Sequence, residues 1–154
     1  MKTMEIKKET AKKLFEESPD WFKEEMIQAF GKNFFKKRDF RDIKTFEDAC
    51  EELDLNMIAS PVFHNVDTPD EIAYKKLKVI VKAINQGWVP DWNNSNQYKW
   101  WPYFKVSSGF GFSLSGYYYA CTLAYVGSRL CFESEEKANY AAQQFIDIYK
   151  QFLT

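Results

Sequence analysis

The chain has 154 residues, a length typical of one domain that can bury a core without disulfides or metal ions. Its 45% hydrophobic residues and net charge of −1 exclude the composition of a disordered protein, and they exclude a strong charge field that would draw it to nucleic acid or membranes. Aromatic residues make up 18% of the chain, and this surplus needs an explanation.

The expected cellular location follows from what the sequence lacks. The first residues carry no apolar core of a signal peptide, and no apolar run approaches the roughly 20 residues of a membrane helix. Cys50, Cys121 and Cys131 make an odd count without metal-ligand spacing, which is typical of reduced thiols. We therefore expect a cytoplasmic protein with no membrane partner.

Residues 9–31 are expected to form two short helices. Ser18 is predicted to cap the second helix, with Pro19 at its first position and Gly31 as its stop signal. A basic, aromatic connector follows at 32–41.

Two further helices have clear N-terminal signals. Thr45 is expected to cap a helix over 46–53. The strongest capping signal in the chain is Thr68, which Glu71 follows three residues later in the spacing of a capping box. This helix is predicted to run to about Gln86.

The second half of the chain has the pattern of β-structure. Aromatic and β-branched residues interrupted by glycines predict strands over 98–106, 110–114, 117–126 and 129–133. Glycine at 127 favours a tight hairpin turn between the last two strands. The register of that hairpin places four side chains on one apolar core face: Leu123, Tyr125, Leu130 and Phe132.

Ser134 is expected to cap a single C-terminal helix that lies across the sheet. These elements predict an α+β fold, in which N-terminal helices are followed by a three- to four-stranded antiparallel meander closed by a C-terminal helix. We expect 1–154 to be a single domain, with 1–44 as a looser helical extension.

The strand predicted over 98–106 has two unlike faces. Alternation assigns to the core the side chains of Tyr98, Trp100, Phe104 and Val106. It assigns to the opposite face the side chains of Lys99, Trp101, Tyr103 and Lys105. Pro102 places the strand at a sheet edge. Because 92–132 contain no Asp or Glu, the second face combines rings and cations in a segment without carboxylates.

Three interpretations of this second face are open. The N-terminal helices can cover it, with its lysines reaching out to solvent. It can bind another protein, since Trp and Tyr are enriched at interfaces, and this is the leading functional hypothesis. It can also stack single-stranded bases, at about 1–3 kcal/mol per base, with Lys36, Lys37 and Arg38 as a secondary binding site.

The sequence offers little for catalysis. His64 is the only histidine, so any Cys–His or Ser–His pair needs it, and an enzyme that uses His64 is the third and weakest hypothesis. We expect a non-enzymatic protein with no catalytic residues, no metal site and no cofactor.

Four segments, at 73–78, 87–94, 97–102 and 126–132, resemble an uncharacterised family of small proteins from gut Bacteroidetes bacteria and their bacteriophages. The resemblance covers roughly residues 45–154. It implies a phage or mobile-element origin, and hence the cytoplasm of a bacterial host cell or a virion. It carries no implication for mechanism, and the identity of the partner and the oligomeric state stay open.

Overall fold

The computed structural model describes residues 6, 8–35, 38–55, 63–107, 111–124 and 127–154. The chain divides into two compact units, 1–38 and 39–154. The single-domain organisation expected from the sequence stays a prediction. Within the described residues, no helix combines the length and the apolar character that a membrane span requires.

The first unit is helical, with α1 (Lys8–Glu17), α2 (Asp20–Phe30) and the short α3 (Lys32–Phe35). Gly31 ends α2 as predicted, with a φ of 84° and an amide that donates to the Ile27 carbonyl. The role predicted for Ser18 is wrong. Its hydroxyl donates to the Leu14 carbonyl in the last turn of α1, and Pro19 occupies the N-cap position of α2.

The helices of the second unit are α4 (Phe46–Glu52), α5 (Pro69–Asn85), α6 (Glu135–Gln144) and α7 (Ile146–Leu153). Both capping predictions are confirmed. The Thr45 hydroxyl accepts from the Asp48 amide at 3.1 Å, and the Thr68 amide donates to the Glu71 carboxylate at 2.8 Å. These local hydrogen bonds satisfy amides that have no partner inside the helix.

The core of this unit surrounds α5. Most apolar side chains of this helix are buried against residues of α4, α6 and α7, and the buried cluster includes Cys50, Leu77, Ile80, Ile84, Phe132, Ala138 and Ala141. The 3.6-residue spacing of apolar residues in α5 explains why one stripe of the helix is sealed while Lys78 and Lys82 stay exposed.

The sheet of the described residues is one antiparallel hairpin, formed by β1 (Lys99–Ser107) and β2 (Gly111–Ala120). The α+β class is confirmed, whereas the three- to four-stranded meander is not formed by these residues. Residues 111–114 and 117–120 of two predicted strands lie in the single strand β2, whereas 121–124 are not strand, and 110, 125 and 126 lie outside the described residues. The register shifts by one residue at Ser115, so a β-bulge carries the strand through the break that the glycines suggested.

The hairpin predicted at 127 is also wrong for the described residues. Ser128–Leu130 form a 3₁₀-helix, and Phe132 pairs with Trp100 of β1. Leu130 and Phe132 are buried as predicted, but Leu123 is 63% exposed, and Tyr125 lies outside the described residues.

The side chain of Asn85 takes the place of a neighbouring strand on one side of the 131–133 segment, because it hydrogen-bonds the backbone there. Its amide donates to the Cys131 carbonyl at 2.9 Å and accepts from the Glu133 amide at 3.1 Å. Phe132, between them, exchanges two hydrogen bonds with Trp100. One buried amide side chain at the end of α5 therefore satisfies the backbone that a further strand would satisfy.

The C-terminal helix begins at Ser134, whose hydroxyl accepts from the Lys137 amide. It is divided at Phe145, whose φ of −114° and ψ of 30° separate α6 from α7, so one continuous helix was the wrong prediction. The turn at Phe145 directs Tyr149 of α7 into the core.

The Tyr149 hydroxyl is buried and has no hydrogen-bond partner among the described residues. Burial raises the pKa of this hydroxyl, so it stays neutral. Since a buried polar group without a partner costs about 1–3 kcal/mol, Tyr149→Phe should raise the free energy of unfolding by about 1 kcal/mol in urea denaturation.

Tyr140→Phe is the matched control for this prediction. The Tyr140 hydroxyl lies 2.8 Å from the Arg41 carbonyl and 2.9 Å from that of Ile43. Removing it should therefore lower the free energy of unfolding by about 1 kcal/mol. A loss of stability in both variants would show that the Tyr149 hydroxyl has a partner in solution.

Candidate binding surface on the hairpin

The hairpin has two faces, because paired residues on adjacent strands point to the same side. The face directed towards α6 and α7, here called the helix face, carries Trp100, Pro102, Phe104, Val106, Phe112, Leu114, Tyr117 and Tyr119. The opposite face, here called the far face, carries Lys99, Trp101, Tyr103, Lys105, Ser113, Gly116, Tyr118 and Ala120.

The helix face is core only in part. Phe104 stacks on Phe112 at 4.7 Å between ring centroids and lies 4.8 Å from the Tyr149 ring of α7. Trp100 also packs against the core. Tyr98 and Val106, which alternation assigned to the core, are half exposed and 62% exposed, so that part of the prediction is wrong.

Three tyrosines surround Trp100 at the edge of the helix face. The ring centroids of Tyr117 and Tyr119 lie 5.2 and 5.0 Å from that of Trp100, and Tyr98 lies 5.3 Å from Tyr119. A hydrogen bond with the Glu135 carboxylate raises the pKa of Tyr117. This ring cluster fastens β2 to the beginning of α6.

Lys99 lies on the far face, as predicted, but its ammonium is not at the surface. The residue is 0% exposed. Four backbone carbonyls lie within hydrogen-bond distance of its Nζ, those of Asp91 at 2.5 Å, Cys121 at 2.6 Å, Gln97 at 2.8 Å and Asn94 at 3.4 Å. The three N–H groups of the ammonium can donate to the three nearest. A charge can be buried only where polar groups replace water, and these carbonyl dipoles do so.

The loop that encloses Lys99 also covers one end of the far face. The Trp92 ring lies 5.4 Å from the Lys99 ammonium, in a cation–π contact, and stacks on Trp101 at 6.3 Å. The Trp101 indole Nε1 donates to the Gly127 carbonyl at 3.2 Å. Trp101 is therefore half-buried, and its indole N–H is already engaged.

The other end of the far face is exposed. Tyr103 is 63% exposed, and Lys105, two residues further along β1, is exposed as well. Of the predicted secondary binding residues, Lys36 and Lys37 lie outside the described residues, and Arg38 belongs to the other compact unit. The structure thus brings together Trp101, Tyr103 and Lys105 and turns the Lys99 charge inward.

An open groove of about 670 Å³ lies at the start of α6, and the sequence did not lead us to predict it. Its lining residues are Trp100, Glu133, Ser134, Glu135, Glu136, Asn139, Tyr140 and Gln143. Its carboxylates are engaged: Glu133 pairs with Lys137 at 2.6 Å, Glu136 pairs with Arg41, and Glu135 bonds to Tyr117. The helix-start signal at Ser134, beside an aromatic strand, could have indicated it.

His64, the residue considered for catalysis, lies in the turn before α5. His64 is exposed, and its backbone amide donates to the Asp67 carboxylate at 2.8 Å. The hydrogen bond from Lys75 lowers the pKa of Asp67. No cluster of potential metal ligands occurs among the residues that the structure describes.

Comparison of the chain with protein-family models, with curated proteins and with solved structures finds no match.

Lys99→Met tests the carbonyl cage. The substitution leaves the converging carbonyls without a donor, so it should lower the free energy of unfolding by about 3 kcal/mol or more. It should also change the fluorescence of Trp92, because the Lys99 ammonium would no longer lie beside the Trp92 ring. Lys105→Met is the control, and because Lys105 is exposed the change should stay within about 0.5 kcal/mol. Equal stability of the two variants would contradict the cage.

Thiol reactivity should follow burial. Burial raises the pKa of Cys131 to about 11 and also raises that of Cys50, whereas Cys121 is only half-buried. A thiol reagent at neutral pH should modify Cys121 in the native protein and the other two only in denaturant, because the thiolate is the reactive form. Fast modification of native Cys121→Ser protein would contradict this order.

Proposed function

We propose that this protein is a non-enzymatic binding protein that contacts another protein through the far face of its hairpin. The observation that carries the proposal is the 63% exposure of Tyr103 on a strand whose other face already packs against helices. An exposed tyrosine on a short, helix-backed sheet supplies a rigid, amphipathic contact, and such residues are enriched at protein interfaces.

Two further properties support this surface. The Lys99 cage fixes the end of the hairpin, so a partner would meet a preorganised strand and would not have to order a loop. Lys105 is the exposed cation beside Tyr103, and the described strands carry no carboxylate, which favours a partner with acidic groups near its contact residues. The proposed partner is therefore a folded protein with an apolar patch and an acidic rim.

The biological setting is part of the proposal. The resemblance stated above supports a phage or mobile-element origin, which would place the protein in the cytoplasm of a bacterial host or in a virion. In either setting the protein would act by binding a partner protein, and the far face is the proposed contact surface.

Single-stranded nucleic-acid binding is the alternative. It draws support from Tyr103 next to Lys105, but the Lys99 ammonium is bound to carbonyls and does not face a phosphate. Titration with a labelled oligonucleotide at two salt concentrations separates the alternatives, since binding through phosphates must weaken as salt rises. An enzyme that uses His64 would require that His64→Ala abolish a measured activity.

Tyr103→Ser tests the proposed contact. Truncating a central interface residue typically costs 2 kcal/mol or more of binding, about a thirtyfold loss of affinity, so the variant should recover far less partner than the wild type in a pull-down from host lysate. The residue is exposed, so the melting temperature should change little.

Tyr98→Ser is the matched control, because Tyr98 is also an exposed tyrosine of the hairpin region but contacts the helix-face rings Trp100 and Tyr119. The proposal requires loss of the partner with Tyr103→Ser and its retention with Tyr98→Ser. Equal recovery by wild type and Tyr103→Ser would remove the far face as the contact surface.

A further inference from the structure

The two edges of the hairpin differ in what their backbone offers. Trp100 donates to and accepts from Phe132, at 3.0 and 2.8 Å, so its N–H and C=O point away from β2. Backbone groups alternate in direction along an antiparallel strand, so those of Pro102 point the same way. The outer edge of β1 is therefore obstructed, because Phe132 occupies one position and Pro102 has no N–H to offer at the next.

The same alternation fixes the edge of β2. Trp100 lies opposite Tyr119, and Pro102 lies opposite Tyr117. Both are therefore non-hydrogen-bonded pairs of the antiparallel ladder, so the N–H and C=O of both tyrosines point away from β1. These groups form no hydrogen bond with any residue in the described part of the chain, so they remain available.

The β2 edge beyond the bulge at Ser115 has little protection against strand pairing. Proteins protect exposed edges with charged side chains, proline, β-bulges, short strands or a covering element. The bulge is the protective feature that β2 has, and it precedes Tyr117 and Tyr119. The ten residues of Gly111–Ala120 contain no charged residue and no proline. Lysines and a proline occur only on β1, whose outer edge is already obstructed.

We propose that a second copy of this chain pairs with the β2 edge, antiparallel and strand to strand, to form a four-stranded sheet across a two-fold axis. Identical antiparallel edges are self-complementary, which is the requirement of a two-fold interface. No like charges oppose each other across a β2–β2 seam, and the net charge of −1 adds little repulsion between copies.

An axis perpendicular to the sheet keeps the helices of both copies on one side and both far faces on the other. The dimer therefore leaves Tyr103 exposed, and this inference goes beyond the proposed function without depending on it.

Tyr119→Pro tests the seam. It removes an outward N–H, whereas the inward hydrogen bonds to β1 belong to its neighbours. Tyr119→Thr removes the same ring but keeps the N–H, and it is the matched control. In sedimentation-velocity measurements over a concentration series, the wild type should reach twice the mass of one chain. Tyr119→Thr should do so as well, and Tyr119→Pro should dimerise about tenfold more weakly or not at all, because the two-fold axis counts each lost bond twice.

Tyr119→Lys gives an independent readout if the proline variant fails to fold, since it keeps the backbone donor and places a charge at the edge of both copies. It should also remain monomeric. Hydrogen exchange of the Tyr117 and Tyr119 amides in the wild type should slow as concentration rises. A wild type that is monomeric at every concentration would overturn the proposal. So would variants Tyr119→Pro and Tyr119→Lys that dimerise as strongly as the wild type.

Discussion

The buried ammonium of Lys99 joins the two ends of the hairpin. Lys99 is the first residue of β1, and its carbonyl partners lie in the preceding loop and at Cys121, just after β2. The ammonium donates to carbonyls of Asp91, Gln97 and Cys121, and hydrogen bonds from a charged donor are stronger than those between neutral groups. The asparagine-rich loop before β1 and the end of β2 together form a closed, polar cage, because a buried cation without hydrogen-bond partners would be very costly.

The orientation of the far face follows from this cage. The loop that supplies the carbonyls also carries Trp92, which the cation holds above Trp101. Trp101 in turn donates to the Gly127 carbonyl, so the segment after β2 is fastened to the same end. Rigidity at this end makes the exposed half of the strand, around Tyr103, a fixed platform. The cation thus acts on the proposed function through geometry and not through its own charge.

A two-stranded hairpin is marginal in isolation, and its stability here comes from the helices. Phe104 and Trp100 pack against the core, and Phe132 adds one bridge to β1. The helices cover one face of the sheet and the cage closes one end. The arrangement leaves the Tyr103 end of the far face and the β2 edge as the parts of the sheet that the described residues of the second unit do not cover.

Features encoded by short-range pattern were predictable from the sequence. The caps at Thr45 and Thr68 depend on residues three positions apart, and both form as expected. Alternation also placed Lys99, Trp101, Tyr103 and Lys105 on one face correctly. These successes share one cause, since the interacting groups lie within a few residues of one another.

Long-range hydrogen bonds account for the failures at 129–133 and at Lys99. The pairing of Phe132 with Trp100 and the bonds of Asn85 to the 131–133 segment connect residues that no local pattern relates, and they replaced the strand that the sequence suggested. The direction of the Lys99 side chain was likewise unpredictable. Periodicity gives the face of a residue, but the carbonyls that turn the ammonium inward come from a loop without periodicity.

The aromatic surplus has more than one physical role, and around the hairpin the choice between phenylalanine and tyrosine follows the exposure of the position. Phe132 is fully buried, and the half-buried Phe104 packs against the core. Tyrosines occupy the half-exposed rim, where the ring can pack while the hydroxyl reaches water or, at Tyr117, the Glu135 carboxylate. A surface that must remain soluble when free and apolar when bound favours tyrosine over phenylalanine for the same reason. A tyrosine at the exposed position 103 therefore fits a reversible protein contact better than it fits a position designed for the core.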